Sequence, residues 1–369
     1  TIFVHSGTYS LPAATPSTTA IALIPEDYTV TFFGVEDDGE VIVDGDGVRR
    51  GFVYDYSNTG CPTSLADNGV NVAHAINFAN LTIQNGQSTE EQCMDGSYLS
   101  SGAAIHLVNV DSSALSISID NCQFVNNNTL DDELLNIGDA SFGAVYFDGK
   151  MDNLVPAGTN ASLTITDSEF SSNRVENLAN GGVGGAVSIQ NVKTVNISDS
   201  YFCENSVFSS AADNGDLSFE RNSGGAIAIF DRSDDVGVDA HNHTIDNCYF
   251  LNNSATTILG GGFLNQSEGG AIFLGGDLND NTAVSTATLN INNSTFFNNN
   301  IESGTEHFDN SSGTIVPTGN ILNSNQFAFD LGNDTTICNI DSVTLGTDIL
   351  GAEFLWSTGA TTSMITVGD

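Results

Sequence analysis

The stretch GGAIFLGGDLNDNTAVSTATLNINNSTFFNN, residues 269–299, contains the unit from which most of this chain is built. Its first half is a glycine pair followed by a small and then an aliphatic residue, residues 269–272. Its second half is an alternating run that ends in the pattern I-x-N-S-x-F-x-x-N, residues 291–299. Variants of both halves recur from about residue 100 to about residue 326, so this unit decides the architecture.

Both halves of the unit are repeated at irregular intervals. The glycine half recurs at residues 102–105, 143–145, 184–187, 224–227 and 269–272, and in weaker form at 313–315. The second half recurs as IDNCQFVNN (119–127), ITDSEFSSN (165–173), ISDSYFCEN (197–205), IDNCYFLNN (245–253) and INNSTFFNN (291–299). Successive copies lie 32 to 48 residues apart, which is typical of a solenoid whose loops vary in length.

The apolar residues within each copy predict strands rather than helices. Leu289 and Ile291 alternate with polar residues, and Phe296 follows after a polar corner, which is a period of two broken once per repeat. We expect three short strands per repeat, around GAIFL, TLNI and STFF. Strands that recur in the same order stack in parallel, and the usual handedness of crossovers makes the result a right-handed parallel β-helix. About eight coils at about 4.8 Å each would give a length of roughly 40 Å.

Residues that recur at one position of the unit are expected to stack from coil to coil. The phenylalanines would fill the interior, where a fully buried side chain contributes roughly 1.5–3 kcal/mol. The asparagines would stack at a turn, each bonding its own backbone and the copy above. An unpaired buried amide would cost about 1–3 kcal/mol. These predicted structural residues are Phe124, Phe170, Phe202, Phe250 and Phe296, and Asn127, Asn173, Asn205, Asn253 and Asn299.

The pairing of G-G-A-[IV] with F-x-x-N resembles the repeats of polymorphic outer-membrane proteins, a family of surface-exposed β-helical adhesins. Five copies cover more than half of the chain, so the resemblance implies a β-helix. The opening TIFVHSGTYS and the later VIVDG are similar to the first turns of parallel β-helix proteins. The function that the resemblance implies is adhesion at a cell surface.

Both halves of the unit are absent after residue 328, and we expect a boundary between a β-helix at 1–328 and a second segment at 329–369. The second segment resembles the immunoglobulin-like modules of secreted and gliding-associated Bacteroidetes proteins. In that family the module continues to a second Cys, so an incomplete Ig-like β-sandwich is expected, either as a fragment of a longer chain or completed by a strand from another copy. The matching residues are Leu331, Gly332, Asp334, Cys338, Val343, Leu345, Trp356, Ser357, Gly359, Ile365 and Val367.

The charge of the chain excludes some partners. Seven Lys and Arg face 46 Asp and Glu, for a net charge of −39. Nucleic acid and anionic membranes need basic patches, so neither binding nor membrane insertion is expected. Such acidity is explained by a solvated surface or by bound divalent cations. No cofactor is required, and calcium is the metal that the abundant oxygen ligands would suit.

Two Asp-rich turns are the calcium candidates. Asp44 and Asp46 lie in VDGDG, and Asp277 and Asp280 lie in GGDLNDN. Neither turn matches an EF-hand or the nonapeptide calcium repeat, and the same residues are ordinary turn formers. Turn chemistry is therefore the preferred interpretation, with calcium as the alternative.

The stretch FDRSDDVGVDAHNH, residues 230–243, has the most enzyme-like composition. A metal could use its Asp and His side chains together. His241 and His243 alternate on a predicted strand and would share one face. We expect a solvated loop after Asp231 and an exposed strand face rather than a metal site.

An enzyme is the minority prediction. Parallel β-helices host pectate lyases and polygalacturonases, but the blocks N-T-D, D-D, G-H-G and R-I-K of that family are missing. The basic residues form no column across consecutive coils, and a body of net charge −39 would repel a polyanionic substrate. The basic residues are Arg49, Arg50, Lys150, Arg174, Lys193, Arg221 and Arg232.

The six cysteines are too dispersed for a metal framework. Cys61 and Cys93 flank one loop-rich region and are the disulfide candidate, which would suit an extracellular setting. The sequence thus predicts a secreted, cell-surface structural or adhesive protein. Its expected partners are other copies, neighbouring modules and surface glycans. A self-assembling extracellular filament and a polysaccharide-binding or polysaccharide-degrading protein are the alternatives.

Overall fold

The computed structural model confirms an all-β chain with long parallel sheets. It describes residues 1–10, 20–23, 29–35, 39–54, 74–89, 91–92, 98–99, 101–108, 115–131, 141–149, 161–177, 181–209, 221–231, 241–257, 266–276, 287–301, 304–311, 313–323, 342–346 and 364–368. These residues contain strands and turns but no helix, and hence no helix that could cross a bilayer. The chain divides into two compact units, Thr1–Ser324 and Asn325–Asp369.

Apart from one separate two-stranded pair, the strands of the first unit form five sheets. These are numbered here in the order in which they follow one another within a complete coil. Sheet 1 contains Ile2–His5, Val30–Val35, His74–Ala79, Leu115–Asp120, Ser162–Thr166, Thr194–Ser198, Asn242–Asp246, Thr288–Asn292 and Thr314–Thr318. Sheet 2 contains Gly7–Tyr9, Val41–Asp44, Thr82–Gln84, Gln123–Val125, Glu169–Ser171, Tyr201–Cys203, Tyr249–Leu251, Thr295–Phe297 and Ile321–Asn323.

The other three sheets are shorter. Sheet 3 contains Gln87–Thr89, Asn128–Asp131, Arg174–Asn177, Ser206–Ser209, Ser254–Thr257, Asn300–Ile301 and Gly304–Thr305. Sheet 4 contains Ser141–Phe142, Gly182–Val183, Arg221–Ser223 and Gln266–Glu268. Sheet 5 contains Ala20–Leu23, Arg50–Tyr54, Ile105–Val108, Val145–Asp148, Val187–Gln190, Ile227–Phe230, Ile272–Gly275 and Phe308–Asn310. Glu91–Gln92 pairs separately with Tyr98–Leu99.

Sheets 1, 2, 4 and 5 contain at most one strand from each passage of the chain, called a coil here, whereas sheet 3 ends in an antiparallel pair from a single coil, Asn300–Ile301 with Gly304–Thr305. Within sheet 1, Ile197 pairs in parallel with Ile245, and Ile245 with Ile291, so equivalent residues of successive copies are in register. This strand order is compatible with a parallel β-helix, and sheets 1 and 2 have nine strands where about eight coils were expected. The prediction of three strands per repeat was incomplete, because the two- to four-residue strands of sheets 3 and 4 are too short to show alternation.

The corner between sheets 1 and 2 is formed by residues that tolerate a left-handed backbone. Asn247 and Asn293 have φ of 51° and 49° there, and Asp199 has 52°. Asn and Asp adopt this conformation more readily than other residues with a β-carbon. The next residue is a buried Ser or Cys, and the backbone N–H of Cys248 donates to Oγ of Ser294 at 3.1 Å.

Where a glycine pair precedes a sheet 5 strand, at residues 184–185, 224–225 and 269–270, its two glycines have different structural roles. Gly224 has φ of 66°, a left-handed conformation that glycine adopts without strain. Gly225 approaches the next coil closely, since a β-carbon on it would lie 2.1 Å from the carbonyl oxygen of Gly270. The pair therefore permits both the turn and the stacking of coils.

The core of the first unit runs along the stacked coils. Four successive phenylalanine contacts on sheet 2 have ring centroids 4.6 to 4.9 Å apart and nearly parallel planes. They join Phe124, Phe170, Phe202, Phe250 and Phe296, each fully buried. On the outer face of the same sheet, Tyr201 and Tyr249 stack with centroids 4.8 Å apart and remain exposed.

The second unit is described only at one antiparallel pair, Ser342–Gly346 with Met364–Gly368. Val343 pairs with Val367 and Leu345 with Ile365. The other residues that carry the Ig-like resemblance lie outside the described residues, so that module stays a prediction.

Candidate functional site

The corner between sheets 2 and 3 is held by a continuous asparagine ladder, Asn127–Asn173–Asn205–Asn253–Asn299. Nδ2 of each of the first four donates to Oδ1 of the next at 2.9 to 3.0 Å. The same oxygen accepts the backbone N–H of the preceding asparagine at 3.0 to 3.1 Å. All five side chains are fully buried. Buried amides are stable only when paired, and here each one is.

Each ladder amide was expected to bond its own backbone, and this prediction was wrong. Its second hydrogen bond goes instead to a carbonyl of the preceding coil. Nδ2 of Asn205 donates to the carbonyl of Phe170, and Nδ2 of Asn253 to that of Phe202, at 2.9 and 2.8 Å. At its far end, Nδ2 of Asn299 lies 3.4 Å from Nδ1 of His307. Burial lowers the pKa of that half-buried imidazole. The ladder therefore ties three coils together at every step.

Asp44 and Asp46, the first calcium candidates, lie beside a surface cavity of about 280 Å³. The carboxylate of Asp44 accepts hydrogen bonds from Nε2 of Gln84 at 2.7 Å and from the backbone N–H of Asp46 at 2.8 Å. Burial tends to raise the pKa of Asp44, but these donors and Asn85 more than offset it, so the pKa is lowered. Calcium at Asp44 would have to displace these donors.

The cavity itself is lined by amide, carboxylate and glycine groups from three coils: Asp44, Asp46, Gly47, Asn85, Gly86, Gln87, Asn126 and Asn128. Nδ2 of Asn126 donates to Oδ1 of Asn85 at 2.9 Å, which orders the two amides across the coils. Such groups bind neutral hydroxyl-bearing ligands by hydrogen bonds. The second calcium candidates, Asp277 and Asp280, and the disulfide candidates, Cys61 and Cys93, lie outside the described residues.

The predicted exposed face of His241 and His243 is wrong. Both imidazoles point inward and are buried, and Asp231, expected at the start of a solvated loop, is also buried. The three form a cluster in which Oδ2 of Asp231 lies 2.8 Å from Nδ1 of His241 and 3.5 Å from Nε2 of His243. His243 lies on the buried face of the strand Asn242–Asp246, and His241 directly precedes that strand and contacts the same carboxylate. Asp231, His241 and His243 are called the Asp–His cluster below.

The position of His243 in the sheet explains why its face is internal. It pairs with Val195 of the preceding coil and Leu289 of the next. Those residues belong to an inward column of aliphatic side chains that also includes Leu163 and Ile315. Aligning the repeats two residues upstream of Ile245 would have placed His243 in that column, since the alternation extends that far.

The cluster leaves several buried polar atoms without a hydrogen bond. Both oxygens of Asp231, Nδ1 of His241 and both ring nitrogens of His243 lack an aligned partner. Burial raises the pKa of Asp231, but its contacts with His241 and then His243 outweigh burial, so the pKa is lowered overall. The carboxylate is thus charged inside the protein.

The described cysteines are structural rather than reactive. Cys122 and Cys248 occupy the buried corner position that serine occupies in other coils, and burial raises the pKa of each thiol to about 12. Cys203 is half-buried, and burial followed by repulsion from Glu169 and Glu204 raises its pKa to about 11. Protonated thiols are poor nucleophiles and poor metal ligands.

Within the described ranges, no group of three or more His, Cys, Asp or Glu side chains already surrounds a metal position. No protein-family model, curated protein or solved structure matches the chain. The argument for function therefore rests on the residues themselves.

Proposed function

We propose that the chain is a secreted, cell-surface structural or adhesive module, non-enzymatic and built as a right-handed parallel β-helix. The observation that carries the proposal is the asparagine ladder with its adjoining phenylalanine stack. The recurring phenylalanines and ladder asparagines are all buried, and the ladder amides are hydrogen-bonded to one another. The recurring sequence therefore serves folding, which leaves ligand contacts to positions that differ between coils.

The proposal includes the two resemblances found in the sequence. The G-G-A-[IV] and F-x-x-N halves resemble the repeats of polymorphic outer-membrane adhesins, and the tail resembles a Bacteroidetes Ig-like module. The antiparallel pair Ser342–Gly346 and Met364–Gly368 supports a β-rich tail. Anchoring through such a module would leave the coils free to contact a second surface.

Binding of a neutral glycan is the second candidate function, favoured by the cavity beside Asn85 and Asn126. Its volume of about 280 Å³ is at the lower end for ligand sites, which fits a single sugar unit of a longer chain. Among the residues that the structure describes, none of those lining the cavity is Lys, Arg or His, so this lining offers hydrogen bonds without a cationic group for a uronate. This chemistry suits recognition better than elimination or hydrolysis.

The first test immobilises the full chain on beads and measures retention on bacterial and host cell surfaces under flow. We expect retention that is lost when the soluble chain is added as competitor. Retention no greater than that of beads carrying an unrelated acidic protein would refute the adhesive function. Release of reducing sugars or unsaturated uronates from polysaccharides would refute its non-enzymatic nature.

The second test is a glycan array with the wild type and the double variant Gln87→Ala/Asn128→Ala. The two side chains line the cavity, and their truncation should weaken binding of neutral glycans by more than about tenfold. Tyr249→Ala, on the outer face of sheet 2, is the matched control and should leave that binding unchanged. Equal binding by all three proteins would exclude the cavity as the glycan site.

A further inference from the structure

The outer face of sheet 2 carries an exposed aromatic pair in the middle of the stacked coils. Tyr201 and Tyr249 are 48% and 37% exposed, and their rings stack with centroids 4.8 Å apart and planes 6° from parallel. Strands of the same sheet lie on both sides of the pair, at Glu169–Ser171 and Thr295–Phe297, so its exposure is not an effect of the end of the stack. Tyrosine is enriched among the residues that dominate binding at protein interfaces, which makes this pair a candidate contact surface.

The stack directs the second ring face of each tyrosine along the coils. Adjacent strands lie about 4.8 Å apart, which matches the separation of the two rings and shows that they stack along the coil axis. The second face of Tyr201 is therefore directed towards the coil of Glu169, and that of Tyr249 towards the coil of Thr295, their register partners. The aromatic column thus ends beside a carboxylate on one side and a hydroxyl on the other.

Carboxylates border the tyrosine pair. Burial, followed by repulsion from Glu169 and Glu204, raises the pKa of the Cys203 thiol, so both carboxylates lie close to this face. Both glutamates are exposed, as is Asp199 at the corner before the strand of Tyr201. No described residue in the outward columns of sheet 2 is Lys or Arg, so the charge of this face is negative.

We propose that this face binds an arginine-rich segment of a partner protein. A guanidinium can stack on a tyrosine ring and bind a carboxylate through two parallel hydrogen bonds, whereas a lysine ammonium offers only a point charge. The net charge of −39 would also speed the encounter with a basic partner. The contact residues, called the tyrosine–acid surface below, are Tyr201, Tyr249, Glu169, Glu204 and Asp199.

Other occupants fit the tyrosine–acid surface less well. A second copy of the chain carries the same net charge and would be repelled. A neutral glycan could use the ring faces but would gain no charge pairing from the three carboxylates. This partner class goes beyond the adhesive function proposed above, since peptide binding in solution requires no cell surface. The surface also lies on later coils than the cavity beside Asn85 and Asn126.

The test compares two labelled peptides of equal length and charge, nona-arginine and nona-lysine, by fluorescence anisotropy with the full chain. At an ionic strength of about 0.15 M, long-range attraction to the acidic protein is screened for both peptides. We expect the arginine peptide to bind about tenfold more tightly, because only guanidinium groups combine stacking with paired hydrogen bonds. Equal affinities would reduce the interaction to the overall charge of the protein and overturn the proposal.

Aromatic variants assign the preference to the tyrosine pair. Tyr201→Ala/Tyr249→Ala keeps the net charge and changes only exposed side chains, and it should weaken binding of the arginine peptide by about tenfold. Phe3→Ala/Phe33→Ala is the matched control, since it removes another exposed aromatic pair, with centroids 6.1 Å apart on sheet 1. The control should bind like the wild type. An arginine preference that survives in the tyrosine variant, or is lost equally in both variants, would overturn the assignment.

A second pair of variants tests the carboxylate beside the stack. Glu169→Gln removes the carboxylate in register with Tyr201 and should weaken binding of the arginine peptide by about threefold or more. Glu40→Gln removes the same charge from an exposed position of an earlier coil and should leave the affinity within about twofold of the wild type. Equal losses in the two variants would show that only net charge matters and would contradict a site at Glu169.

Discussion

The asparagine ladder and the Asp–His cluster both place polar side chains inside the coils, but they satisfy them differently. In the ladder, each amide donates to the next asparagine and to a carbonyl of the preceding coil, at distances near 2.9 Å. In the cluster, a carboxylate and two imidazoles face one another without an aligned hydrogen bond. The ladder asparagine recurs in five coils, whereas the cluster occurs in one coil of the described part of the chain.

This difference separates scaffold from candidate site. A polar group that is paired identically in every coil contributes to the repeat and can be explained without a ligand. A polar group that is buried once, in place of an aliphatic residue, needs a separate explanation. The predictions below remove two groups from each region and compare the effects on stability.

The largest effect is expected in the middle of the ladder. Asn205→Ala removes the acceptor of the backbone N–H and of one of the two Nδ2 hydrogen bonds of Asn173, and the side-chain donor to the carbonyl of Phe170. We therefore expect the free energy of unfolding to fall by about 3–5 kcal/mol. Urea unfolding followed by circular dichroism measures it. Asn196→Ala, on the exposed face of sheet 1, is the matched control and should change stability by less than about 0.5 kcal/mol. Equal effects of the two variants would contradict the importance of burial.

The opposite sign is expected in the Asp–His cluster. His243→Val should raise the free energy of unfolding by about 1 kcal/mol, because the gain from restoring the aliphatic column and removing two unpaired ring nitrogens exceeds the loss of the 3.5 Å contact with Asp231. The contact of His241 with Asp231 at 2.8 Å is left in place. The same urea measurement applies. A loss of stability would mean that His243 is compensated within the protein.

A third effect distinguishes the regions by pH. The pKa of Asp231 is lowered by its contacts with His241 and His243, although burial opposes this. Its stabilisation is therefore complete above the ordinary carboxyl pKa near 4 and is lost as pH falls through the lowered value in the folded protein. Between pH 4 and pH 2, wild type should lose more stability than Asp231→Asn. Parallel losses would show that Asp231 is not held as a charged group.

The smallest effect is expected at the end of the ladder. Burial lowers the pKa of His307, so the folded protein binds a proton less readily than the unfolded chain. Stability from this residue is complete above the ordinary pKa near 6.5 and is lost as pH falls toward the lowered value. The thermal midpoint of wild type should fall slightly more than that of His307→Gln between pH 7.5 and pH 5.5. A larger fall in the variant would contradict the direction of the shift.

The sequence predicted the coil and its repeated columns because each rests on local periodicity. Alternation around Leu289 and Ile291 and the recurring Asn299 position are visible in a single copy and become specific when five copies are aligned. Sheets 3 and 4 escaped prediction because strands of two to four residues show too little alternation. Their register is set by the neighbouring coils instead.

The candidate site was less predictable, since it depends on which face of a strand is internal. The sequence pattern placed Asp231 in a solvated loop and His243 on an exposed strand face, where charged and polar residues usually lie. The register with Val195 and Leu289 overrides that expectation, because the column is enclosed by the other sheets. The occupied oxygens of Asp44 likewise depend on Gln84 and Asn85 of the next coil, which no local pattern reveals.

The ladder keeps the contacts between coils constant although the number of residues per coil varies. Successive ladder asparagines are 46, 32, 48 and 46 residues apart, yet their amide contacts stay between 2.9 and 3.0 Å. A difference of sixteen residues between two coils thus leaves the amide contacts between coils unchanged. Such an arrangement lets insertions and deletions accumulate between the strands under selection for new contacts, while the pitch of the coils is inherited unaltered.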